Sequence, residues 1–176
     1  MKNFILGAFG VFALLAVPVQ AGMIGDTTDV AVYYPNLSTL VQDGGNKTVT
    51  TSTEYPAGTF NLYNSNWAVD ITNTQIIIEY TGSSCSACVF TTASFNGFVV
   101  TLVTGGPFLT AVADGASNFN PAITINGNVL DLNYSGVSYA PDSESIIDIT
   151  NAPEPATFSL LGAGLVGFYF IRRRRG

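Results

Sequence analysis

Ala122-Ile-Thr-Ile-Asn-Gly-Asn-Val-Leu-Asp-Leu132 is the stretch whose local structure is clearest. Two alternating apolar and polar runs meet at Asn126-Gly127, the dipeptide favoured by a type I′ turn because both central residues need positive φ. Beyond it, Leu130, Leu132 and Tyr134 fall on one face while Asp131 and Asn133 fall on the other. The spacing predicts a hairpin with one face in a core and the other in water.

The same pattern spreads outward in both directions. Val30 to Tyr34 reads as a strand ended by Pro35, and Gln42 to Asn46 as a turn leading into the β-branched run Lys47 to Thr53. Trp67 to Ile71 and Thr74 to Tyr80 follow. In the latter, Ile76, Ile78 and Tyr80 face one way, and Gln75, Ile77 and Glu79 the other. Cys88 to Ser94 and Phe98 to Val103 read as strands joined by a tight turn at Asn96-Gly97, before Gly105-Gly106-Pro107 breaks the chain. Ser145 to Thr150 is the last strand. No segment of residues 22–151 carries an apolar stripe at helical spacing. The expectation is an all-β fold, an antiparallel β-sandwich of about eight to ten strands, jelly-roll or immunoglobulin-like. Strand order does not follow from the sequence.

Both ends differ from this body. Met1-Lys2-Asn3 is a positive start, Phe4 to Val19 is apolar, and Pro18-Val19-Gln20-Ala21 places a small residue at a cleavage position. Residues 1–21 read as a signal-peptide helix cut after Ala21, implying the Sec translocon and signal peptidase as partners; an uncleaved N-terminal anchor is the alternative. Residues 152–176 form the tail. Pro153-Glu154-Pro155 precedes an uncharged run from Ala156 to Ile171, and Arg172, Arg173, Arg174 and Arg175 follow. As a helix the run would measure about 24 Å. A hydrocarbon core is about 30 Å thick, so flanking residues or local thinning would have to supply the rest. Phe158, Leu160, Leu161, Leu165, Val166, Phe168, Phe170 and Ile171 would form the membrane anchor. The arginines would set its topology, staying cytoplasmic and leaving residues 22–151 outside.

In that order, these parts resemble a PEP-CTERM sorting signal, with Pro153, Glu154 and Pro155 as the sorting motif; an ordinary C-terminal anchor is the alternative. The resemblance implies an exosortase-like membrane enzyme as partner, an inner-membrane intermediate, and a final place in the cell envelope or extracellular matrix of a Gram-negative-type bacterium. It also implies a structural role at the cell surface or in a biofilm matrix, with exopolysaccharide as a further partner. Val69 to Tyr80, Ser94 to Phe98 and Leu130 to Tyr134 are similar to a small β domain of other PEP-CTERM proteins, which brings no catalytic activity with it.

Charge narrows the function of the body, 130 residues from 22 to 151. Five of the six basic residues lie in the terminal segments. The exported part ahead of the tail's apolar run keeps Lys47 against all 12 acids, a net charge of −11, although the whole chain is −6. Such a surface excludes nucleic acid, which needs a basic face.

The chain has no histidine, so histidine-based triads and histidine metal sites are out of reach. Cys85-Ser-Ala-Cys88 reads as a local disulfide in an exported protein. A redox motif needs a helix after the first cysteine, and a four-thiolate zinc site needs a second pair. Paired carboxylates remain: Glu54, Asp70 and Glu79 would have to meet in a cleft to make a glycoside hydrolase. Asp26, Asp29, Asp43, Asp114 and Asp142 lie near turns, where calcium takes oxygen ligands, but no EF-hand or nonapeptide repeat is present. A carbohydrate-binding module would need Trp67 with Tyr33, Tyr34, Tyr55, Tyr63 and Tyr80 exposed as a platform; as core they fill a small sandwich. The sequons at Asn36, Asn46 and Asn133 read as chance. The expectation is therefore no catalytic residue, metal or cofactor.

Overall fold

The structure, a computed structural model, describes residues 22–62, 65–83 and 88–152, together with Gly162. Twelve strands are formed among the described residues. They are β1 (Thr27–Tyr33), β2 (Leu40–Thr48), β3 (Tyr55–Leu62), β4 (Ser65–Ile71), β5 (Gln75–Tyr80) and β6 (Cys88–Val89). Then come β7 (Gly97–Leu102), β8 (Phe108–Ala113), β9 (Ala122–Asn126), β10 (Val129–Asn133), β11 (Ser138–Tyr139) and β12 (Glu144–Asn151). Two five-stranded antiparallel sheets, ordered β2-β1-β7-β10-β9 and β3-β4-β5-β12-β8, pack as a sandwich, and β11-β6 forms a two-stranded piece. The chain changes sheet directly between β2 and β3, β7 and β8, and β8 and β9, and by way of β6 and β11 between β5 and β7 and between β10 and β12. Such long-range pairing is why local sequence patterns leave the strand order open.

Alternation sets the core. Ile76, Ile78 and Tyr80 are fully buried from β5, and Leu130 and Leu132 from β10, while the residues between them are partly exposed. In the first sheet Val30, Val32, Phe98 and Val100 line the same inner face as Leu130 and Leu132, with β1 and β7 in register at Val30–Val100 and Val32–Phe98. Trp67 lies 1% exposed, with ring centroids of Tyr139 at 4.9 Å, Tyr80 at 5.1 Å and Phe90 at 5.3 Å. Aromatic pairs at these separations add directional attraction to the area they bury.

One long side of the sandwich is closed by a side chain. The Gln42 Nε2 on edge strand β2 donates to the Thr59 carbonyl of edge strand β3, and Asn61 N donates back to Gln42 Oε1 at 3.1 Å. The amide thus supplies a rung between strands of different sheets and occupies edge groups that would otherwise face outward.

Several local readings need correction. The hairpin of β9 and β10 forms, but its two-residue turn is Gly127-Asn128, with Asn126 paired to Val129. Among the described residues only Asp142 and six glycines have positive φ, Gly127 at 62° among them. Positive φ at the first central residue alone is the pattern of a type II′ turn, not I′. Gln42 to Asn46 is not a turn; β2 runs through it with a register shift between the Asp29–Asn46 and Ala31–Asp43 pairs, a bulge at Gly44-Gly45. Asn96-Gly97 joins no hairpin, because β6 and β7 belong to different sheets. A Cβ on Gly97 would lie 2.0 Å from the Leu132 carbonyl oxygen, so glycine there permits a close approach of two strands.

Candidate functional site

The acids singled out from sequence come together only in part. Glu54 ends the β2–β3 connection and is 8% exposed. Its Oε1 accepts from Thr50 N at 2.7 Å and its Oε2 from Ile71 N at 2.8 Å, so both oxygens are committed to backbone donors. Asp70, the neighbour of Ile71 on β4, titrates above the ordinary range, first because burial disfavours its charge and then because of Glu54 beside it. Asp70 lines a cavity of about 410 Å³ with Ile24, Thr50, Thr72 and Asn73. Glu79 is apart from this pair: it stands opposite Ala68 on β4 and Glu144 on β12, whereas Asp70 stands opposite Ile77. The arrangement holds a loop against a strand end.

The acids considered for calcium are dispersed. Asp29 and Asp43 are neighbours, and Asp29 is raised by burial and then by the charge of Asp43. Asp114 Oδ1 accepts from Ala116 N at 2.7 Å, a turn-forming bond within its own loop. Among the described residues, no group of three or more His, Cys, Asp or Glu is placed to hold a metal ion.

Aromatic placement contradicts a sugar-stacking platform. Trp67, Tyr55 and Tyr80 are buried, Tyr33 and Tyr34 are half-buried, and Tyr63 lies outside the described residues. Burial pushes the Tyr55 hydroxyl up to about 12. It stays neutral and shares its proton between the Thr28 and Gly45 carbonyls, at 3.0 and 2.9 Å. A shallower cavity of about 510 Å³ at the opposite end is lined by Tyr139, Asn118, Asp142 and Ser143. Its polar groups serve the fold: Asn118 Oδ1 accepts from Glu144 N, and Ser143 Oγ from Ala140 N. Cys88 is disulfide-bonded, and the only other cysteine of the chain, Cys85, lies outside the described residues.

The remaining feature is where the body hands over to its two terminal segments. Ala152 N donates to the Pro107 carbonyl at 2.9 Å, and Asn151 before it is 3% exposed. A Cβ on Gly106 would fall 1.8 Å from the Ala152 carbonyl oxygen, and one on Gly105 would fall 2.3 Å from Asp26 Oδ2. The loop read from sequence as a simple break is therefore a clamp between the two ends of the body. On the other side, Met23 N donates to Asn73 O at 3.4 Å and Ile24 N to Asn73 Oδ1 at 3.1 Å. Asn73 lies in the β4–β5 turn, and the next residue, Thr74, accepts from Ile149 N on β12. Residues 22 and 152 thus leave the sandwich at the same end. Neither Asn73 nor Pro107 carried a sequence signal for this role, which depends on partners far away in the chain.

Residues 151–175 match the family model described as a PEP-CTERM protein-sorting motif. The chain carries a PEP-CTERM sorting motif. The match begins at the final residue of β12, so the motif starts at the rim of the folded body with no intervening linker. A PEP-CTERM motif supports an exported protein that an exosortase sorts at the membrane. No curated protein and no solved structure matches the chain. The residues that the sequence assigns to the motif and its flanks lie outside the described residues: Ala21, Pro153 to Pro155, the anchor residues Phe158, Leu160, Leu161, Leu165, Val166, Phe168, Phe170 and Ile171, and Arg172 to Arg175. Among the described residues, no helix is long and apolar enough to cross a membrane.

Proposed function

We propose that this chain is a non-catalytic structural component of the cell surface or exopolysaccharide matrix. It is exported through the Sec translocon, freed of residues 1–21 by signal peptidase, and held in the inner membrane by residues 156–171 until an exosortase acts near Pro153-Glu154-Pro155. The observation that carries this reading is the junction itself, a sorting motif beginning at the last residue of a sandwich whose last strand lies inside a sheet. The commitment of Glu54 to backbone donors and of Trp67 to the core supports a scaffold over a hydrolase or a sugar-binding module. The net charge of −11 ahead of the apolar run favours a solvated, self-repelling particle suited to a hydrated polymer.

The intact mass of the mature protein from its native host tests this. Loss of residues 1–21 and of the segment after the Pro-Glu-Pro region is expected. Retention of Phe158 to Gly176 would make it a tail-anchored envelope protein and remove the support for a matrix role. Replacing Pro153, Glu154 and Pro155 by alanine is expected to leave export intact and trap the unprocessed chain in the inner membrane.

A further inference from the structure

The end of the sandwich from which residues 22 and 152 depart also exposes apolar side chains. Ile24, Val103 and Leu109 are 50%, 49% and 59% exposed. Their places follow from backbone hydrogen bonds at this end. Ile24 is fixed to Asn73; Val103 N donates to Thr27 O at the start of β1; Leu109 is two residues beyond Pro107, which holds Ala152. Exposed apolar residues occur elsewhere too, Leu40 and Val89 among them, and singly they need no explanation. What singles out these three is the length of chain that tethers them.

Only Pro153, Glu154 and Pro155 separate Ala152 from the apolar run that starts at Ala156. Proline-rich chain extends about 3.1 Å per residue, so four steps reach about 12 Å. The headgroup layer between hydrocarbon and water fills roughly 5–8 Å of that distance. A 16-residue helix also falls about 6 Å short of the hydrocarbon thickness, which draws the flanking residues, and the body with them, toward the bilayer. The body is far wider than the gap left to it.

We propose that this end of the sandwich rests on the bilayer surface while the tail is inserted, with Ile24, Val103 and Leu109 in the headgroup layer. The proposal rests on the reading of residues 156–171 as a membrane span. Lys47, the body's only basic residue, is exposed near the same end, opposite Thr28. Asp26 and Asp70 are there as well, so neutral headgroups suit the contact better than anionic ones.

The test uses the full chain with its tail in phosphatidylcholine vesicles whose acyl chains carry bromine, a short-range quencher. A small fluorophore is attached through Val103→Cys, through Val89→Cys at the opposite end, or through Leu165→Cys in the tail. Positions 103 and 165 are expected to lose most of their fluorescence on bromination and position 89 none. Quenching at 165 with 103 behaving like 89 would overturn the proposal while leaving the tail reading intact. Unquenched fluorescence at 165 would overturn the tail reading, and the surface contact with it. Equal quenching at 103 and 89 would mean that the body lies on its side, which also overturns it. Shielding of 103 from an aqueous quencher only in native membranes would reassign this surface to a membrane protein.

Discussion

The Tyr134 hydroxyl donates to Ser145 Oγ at 2.8 Å across the interior of the sandwich, between two residues with no solvent exposure. Tyr134 immediately follows β10 in one sheet and Ser145 sits on β12 in the other, so the bond spans the layers. Burial pushes the Tyr134 hydroxyl well above the usual phenol range, with the bond to Ser145 offsetting part of the shift.

Tyr134→Phe leaves a buried serine hydroxyl without this donor, at a cost of about 1–3 kcal/mol. The double variant with Ser145→Ala should regain part of that loss, because no polar group is then stranded. Urea unfolding of the single and double variants checks both statements. Additive losses would mean that the two hydroxyls are not coupled.

Asp29, Asp70 and Asp131 all titrate above their ordinary value of 3.8, in each case chiefly because burial disfavours the charged form. An acid raised in this way binds a proton more readily folded than unfolded. Its favourable contribution is present at low pH and is lost as pH climbs from about 3.8 through the raised value. The melting temperature should therefore fall as pH rises from about 3.8 through the raised values, and Asp70→Asn should flatten that fall. A melting temperature that rises over the same range would contradict the assignment.

Gly97→Ala inserts a methyl group where the Leu132 carbonyl already stands, forcing β7 and β10 apart. The expected loss is at least about 2 kcal/mol, as for other overpacked sites. Gly115→Ala, with no heavy atom within 4 Å of the added carbon, is the control and should be nearly neutral. Thermal melts of the two variants give the comparison directly.

Trp67 is the only tryptophan, so intrinsic emission reports on its surroundings alone. Emission should be blue-shifted, poorly quenched by acrylamide and unchanged by added polysaccharide. Trp67→Ala should cost about 3–5 kcal/mol, as for other buried aromatic truncations. A saccharide-dependent shift in emission would reopen the sugar-binding alternative.

How far the sequence reached depended on the range of the interactions involved. Alternation at Thr74 to Tyr80 and Leu130 to Tyr134 told which side chains face inward, because that pattern is set by the pleat itself. Strands β3 and β8 were not legible. The first carries Pro56 and Gly58, with a register shift against β4; the second follows Gly105-Gly106-Pro107 and alternates weakly. Glycine misled twice, at Gly44-Gly45 and at Gly97, where a bulge and a close strand approach use the same residue that turns prefer. Glu54 entered only as one of three acids that a hydrolase would need to bring together; its actual partners, Thr50 N in its own connection and Ile71 N at the end of β4, are invisible without the fold. The sorting motif was the opposite case, contiguous and therefore fully readable.

The place of β12 has a consequence for the order of events during synthesis. It is flanked by β5 and β8, so the second sheet lacks an interior member until Asn151 has crossed the membrane. The sorting motif follows at once; if residues 156–171 span the membrane as proposed, the apolar run would already engage the bilayer when the last pairing becomes possible. On that reading, completion of the fold and arrest of translocation would be nearly simultaneous, and an exosortase would meet a newly closed domain. Pulse-labelled chains should acquire protease resistance only after residue 151 is outside; resistance acquired by shorter exported intermediates would show that the sheet closes without its interior strand.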